Sequence, residues 1–184
     1  MKKILIIFFL LINISPVNSH VEHYKKIKQL NFDLYRNNQL IGSHIYDFIR
    51  ENNKLKVVSV INFEIKKLGI VFYKYYVRGE ENYIDGKFIN FSSKTKQNKK
   101  DKFCNIFKKS DKFFIEGSSY TGYAPENFII GTWWNHSIVE KKAQISAISG
   151  RIIKQKVTFI GKEKIKINGK DVNALHFNFS STDN

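Results

Sequence analysis

From Leu30 onward, apolar and polar residues alternate one by one, a period that commits the chain to strands rather than helices. Leu30, Phe32 and Leu34 alternate with Asn31, Asp33 and Tyr35. Leu55, Val57, Ser59, Ile61, Phe63 and Ile65 fall on one face of a long strand. Lys54, Lys56, Asn62, Glu64 and Lys66 fall on the other. Successive strand side chains point to opposite faces, so this pattern predicts a sheet buried on one side only. Further strands are predicted over 41–50, 70–83, 87–95, 102–108 and 112–116, then over 150–159, 161–167 and 171–179. Turn residues separate them at Asn37-Asn38, Asn52-Asn53, Leu68-Gly69, Asp85-Gly86, Lys109-Ser110-Asp111 and Asn168-Gly169, and across the polar stretch 97–101. Asp-Gly and Asn-Gly between such runs mark two-residue hairpins. Connections this short cannot hold a crossover helix, so the sheet is antiparallel.

Residues 117–135 break the pattern. They hold Gly117, Gly122 and Gly131, Pro125, Tyr120, Tyr123, Trp133 and Trp134 without periodicity, and read as a long loop lying over the sheet. A short helix is expected near Asn135, with that residue as N-cap. The fold class that follows is mainly β: a curved antiparallel sheet or partly open β-barrel, with a long central loop and at most one or two short helices.

The first residues carry a different message. Lys2 and Lys3 precede an apolar run over 4–14, interrupted by Asn13 and ended by Ser15-Pro16. Val17-Asn18-Ser19 then lead to His20. This is the order of a secretory signal, giving a signal peptide over 1–19 and a single β domain over 20–184, exported to the periplasm. This run of eleven residues is too short for the roughly 20 of a spanning helix, so no integral membrane span is expected after cleavage. Cys104 is the only cysteine, which excludes an intramolecular disulfide and suits a small core residue.

The formal charge of +15 resembles a nucleic-acid signal. The charge is mostly lysine on alternate strand positions, with Arg36, Arg50, Arg78 and Arg151 as the arginines, so no nucleic-acid partner is expected. His20, His23, His44, His136 and His176 show no metal-ligand spacing within one element, and neither a metal site nor a cofactor is assigned. No nucleophile elbow or phosphate loop is present in the sequence, and no catalytic residue is assigned.

Two short runs stand above this background. In Ile41-Gly42-Ser43-His44 the glycine permits a bulge or a close backbone approach, and His44 reads first as a sheet-face residue. In Gly131-Thr132-Trp133-Trp134-Asn135 the two indoles either line an apolar cleft or divide, one plugging the end of the sheet and the other lying over the loop.

These runs also carry a resemblance. The segment 32–44, Trp134-Asn135, Gly161-Lys162-Glu163, Asn168-Gly169 and the strand 174–177 together resemble an uncharacterised family of secreted proteobacterial proteins. The resemblance implies a periplasmic, curved antiparallel sheet similar to lipoprotein-carrier-like open barrels, with no catalytic residue to carry over. Members of that family continue into another hairpin, so an open sheet edge is expected where this sequence stops.

The functional expectation is a non-catalytic binding or envelope-assembly module with an apolar concave face. Its partner would be a lipid, another apolar ligand or an envelope protein. Trp133, Trp134, Asn135, His44 and Arg78 are the candidate ligand-binding residues. The alternative is a hydrolase whose site brings together residues distant in sequence, such as His44, Arg78 and Asn135.

Overall fold

The computed structural model describes residues 24–167 and 169–182. The signal-peptide reading over 1–19, with His20 and His23, lies outside the described residues. Eight strands follow in chain order: β1 (Gln29–Arg36), β2 (Gln39–Glu51), β3 (Lys54–Lys67), β4 (Ile70–Ile84), β5 (Lys87–Gln97), β6 (Lys100–Lys109), β7 (Lys112–Gly117) and β8 (Thr121–Tyr123). Each pairs antiparallel with the next, and β1 and β8 are not joined, so the sheet is open rather than closed into a barrel.

The loops between β1 and β7 are all two residues long. Their first residues, Asn37, Asn52, Leu68, Asp85, Asn98 and Ser110, all have positive φ. That twist matches the right-handed twist of the flanking strands, which is why so regular a meander forms.

A second, four-stranded sheet comprises β9 (Ile129–Ile130), β10 (Ala143–Ile145), β11 (Ile152–Ile167) and β12 (Lys170–Ser181), ordered β12-β11-β10-β9. The pairing of β9 with β10 is parallel. A 3-10 helix, His136–Glu140, lies between them. Two details differ from the expectation. The span 117–135 is not wholly loop, because it contains β8 and β9, whose pairings are too short to leave a periodic signal. The strands expected over 150–159 and 161–167 are one strand, β11, in which Ile160 bulges and the register resumes at Gly161.

One face of the large sheet is the core face. Register places Phe48, Val57, Glu81 and Phe91 side by side across β2 to β5. Ile106 and Ile115 continue that row through β6 and β7. The segment from 118 to 151 crosses this face and fills it. Trp134 packs with Tyr46, Phe48, Leu55, Val57 and Tyr83, while Ile130 and Ile145 pack with Phe91, Cys104, Ile106 and Ile115. Cys104 is fully buried, and burial pushes its thiol pKa up to about 12. Close approach at the sheet's edge requires glycine: a Cβ on Gly117 would overlap the Ser149 carbonyl, and Ser119 N donates to that oxygen at 2.9 Å. The β11–β12 hairpin leaves this body as an arm whose outer half is solvent-exposed on both faces.

Candidate functional site

The most concentrated chemistry is a buried knot around Glu81. Its strand position belongs to the face of Tyr75, Val77, Gly79 and Tyr83, so β4 drives a carboxylate into the core. Three donors meet it. Thr132 Oγ1 and Trp134 Nε1 donate to Oε1 at 2.6 and 2.7 Å, and Tyr83 Oη donates to Oε2 at 2.6 Å. Tyr46 Oη donates to the Thr132 carbonyl, and the Asn135 side chain hydrogen-bonds Tyr83. Burial raises the Glu81 pKa, against the lowering effect of its three donors. Burial and the neighbouring carboxylate raise Tyr83 as well. The knot fastens the crossing segment to β2 and β4 around the buried Glu81, so it acts as a clamp.

Beside the clamp, at the end of the sheet carrying the Asp85-Gly86 and Ser110-Asp111 turns, lies an open cleft of about 1270 Å³. Tyr83 and Asn135 form part of its wall, so clamp and cleft share residues. Its apolar floor is a phenyl cluster, Phe88, Phe113 and Phe128, with ring centroids 5.1 to 5.7 Å apart. Lys87, Lys112 and Lys141 line it alongside Asp85, Asp111 and Glu126. Such a space exceeds the roughly 300–1,000 Å³ of small-molecule pockets and suits a long apolar chain with a polar end.

The residues singled out in the sequence occupy separate places. Trp134 is buried in the clamp, whereas Trp133 is 55 % exposed, holds φ +70°, and packs its ring against Phe179 of β12 at 5.1 Å. The two indoles therefore do not line one space. Asn135 caps the 3-10 helix through Oδ1, which accepts from Ser137 N and Ser137 Oγ. His44 faces the core side, 3.1 Å from Ser59 Oγ and against the Tyr46 ring, and burial lowers its pKa to about 4. Arg78 projects from the opposite face, where it pairs with Glu80 at 2.8 Å. Since His44 pairs with Ile61 and Ile61 with Val77, Arg78 cannot share a cleft with His44. Gly42 lies next to a bulge at Ile41, and a Cβ on it would overlap the Asn62 carbonyl.

Sequence reasoning missed Glu81 and the phenyl cluster. Glu81 had a signal: it is a carboxylate at an apolar-face position of an alternating strand. The cluster had none, because Phe88, Phe113 and Phe128 belong to three segments that meet only in the folded molecule. Among the described residues no group of three or more His, Cys, Asp and Glu could hold a metal ion, and no helix is long and apolar enough to cross a membrane.

Comparison with known proteins adds one match. A family model described as a domain of unknown function, DUF6134, matches residues 32–184. No curated protein and no solved structure matches the chain. The chain belongs to the DUF6134 family, a family of uncharacterised function.

Proposed function

We propose that this protein is a non-catalytic, exported binding module of the cell envelope, and that it takes an acyl chain or similar apolar tail in the cleft beside the Glu81 clamp. The observation that carries this reading is the cleft itself: about 1270 Å³, floored by three interlocking phenyl rings, with mixed charges along its wall. Burying apolar surface is worth roughly 25 cal/mol per Å², so a methylene chain on such a floor gains affinity along its length. The lysines and carboxylates would meet its polar end. The site moves from the Trp133-Trp134 pair to the phenyl floor, because Trp134 is already packed.

The test is a titration of purified protein with a fluorescent long-chain fatty acid, alongside extraction and mass analysis of any co-purified lipid. Saturable binding, weakened about tenfold or more by Phe113→Asp, is expected, since a buried charge on an apolar floor opposes the tail. Binding unchanged in that variant, or none at all, would remove this reading. A hydrolase built on His44, Arg78 and Asn135 finds no support, because those side chains face different spaces.

A further inference from the structure

The β3–β4 turn departs from the pattern of the other five two-residue loops. Their first residues are Asn37, Asn52, Asp85, Asn98 and Ser110, short polar side chains suited to positive φ and to water. Here the residue is Leu68, with φ +50° and 94 % of its surface exposed. Leucine at this position is unfavourable for both backbone and solvation, and no fold contact offsets it. The residues after the turn repeat the anomaly. Ile70 is 64 % and Phe72 63 % exposed, and Val71 is exposed too. Phe72 occupies a bulge, since Ile65 pairs with Tyr73 while Lys66 pairs with Val71. A bulge at a strand end re-aims its side chain.

Basic residues surround this tip. Lys66 and Lys67 precede it and Lys74 follows, with Glu64 bridging Lys74 at 2.8 Å and Lys66 at 3.4 Å. Arg36 belongs to the neighbouring hairpin. With these lysines it lines a cleft of about 820 Å³ between the β1–β2 and β3–β4 turns.

We infer that the β3–β4 tip is a membrane-docking surface, with Leu68, Ile70, Val71 and Phe72 entering the interface of an anionic bilayer and Arg36, Lys66, Lys67 and Lys74 meeting its headgroups. Apolar insertion together with basic residues is the two-part attachment that holds peripheral proteins on membranes. A second copy of this chain is the poorer occupant. The tip has four exposed apolar side chains, against the roughly 20–30 residues a side of a stable interface. Two copies would also bring Arg36, Lys66, Lys67 and Lys74 of one tip against those of the other. Turns alternate between the two ends of a meander, so the tip lies at the end opposite the apolar cleft and the inference does not depend on acyl binding there.

The experiment is flotation of purified protein with vesicles of phosphatidylglycerol and phosphatidylcholine in equal parts, compared with phosphatidylcholine alone. Binding to the mixed vesicles, weakened by salt and largely lost on neutral ones, is expected. Leu68→Asn combined with Phe72→Ser should weaken it about tenfold or more. Leu68→Asn alone should raise the unfolding midpoint by about 2–4 °C, so lost binding cannot be ascribed to misfolding. Equal flotation of the double variant, equal binding to neutral vesicles, no binding at all, or a dimer abolished by Leu68→Asn would each overturn the inference. Fatty-acid binding by the double variant should be unchanged, which separates this result from the cleft reading.

Discussion

Glu81 and His44 lie on the same face of the sheet, and burial shifts both away from their charged forms, with opposite consequences for pH. The Glu81 carboxyl is raised from its ordinary value of 4.5, so the folded chain holds the proton to higher pH than the unfolded chain. Its contribution is full below 4.5 and is lost as pH rises through the folded value. In urea unfolding from roughly pH 4 to 8, the stability of the wild type relative to Glu81→Gln should fall as pH rises. Glu81→Leu should cost roughly 3 kcal/mol or more, because the Thr132, Trp134 and Tyr83 donors lose a buried acceptor. His44 behaves the other way. Lowered from 6.5 to about 4, it contributes above 6.5 and the contribution is lost as pH falls toward 4. His44→Gln should remove that acid-side loss in the same urea series. A shift confined to neither window would show that other groups set the pH dependence. The alternation along β4 contained the Glu81 signal, but its partners did not: Thr132 and Trp134 are 51 and 53 residues away.

At the scale of elements, hairpins were legible because each is decided locally, by a two-residue turn and the alternation on either side. Asp85-Gly86 and Asn52-Asn53 announce themselves without reference to the rest of the chain. The cover was not legible. β9 is two residues long and finds β10 by a parallel pairing, which no local pattern encodes. What secures the cover is the clamp, together with Gln155, whose Nε2 donates to the carbonyls of Ile138 and Lys141 while its Oε1 accepts from Gln144. Trp134→Ala should therefore cost about 3–5 kcal/mol in chemical unfolding, from the lost burial and the cavity left between β2 and β4. The β11–β12 arm should behave oppositely. Its outer half is exposed on both faces, so its amides should exchange with deuterium well before those of β3 and β4. Protection equal to that of the central strands would mean the arm is covered in solution.

At the scale of the molecule, one open sheet serves two ends. Its inner face is filled by the crossing segment, which leaves an apolar cleft at one end, while the opposite end presents an exposed apolar tip among lysines. Period-two burial foretold the open sheet and its apolar face. The candidate binding residues read from the sequence are Trp133, Trp134, Asn135, His44 and Arg78, and the folded chain packs Trp134 into the core, the plug that the sequence reading of the Trp133-Trp134 pair also offers. Phe88, Phe113 and Phe128 supply the floor instead. Trp134 reports on this cleft directly, since its ring is 5.9 Å from that of Tyr83, which lines it. The most direct measurement is quenching of Trp134 in a Trp133→Phe variant by a long-chain fatty acid brominated along its tail. Saturable quenching that disappears with the added substitution Phe113→Asp is the expected result. An unquenched Trp134, or quenching indifferent to Phe113, would contradict an acyl chain in the cleft.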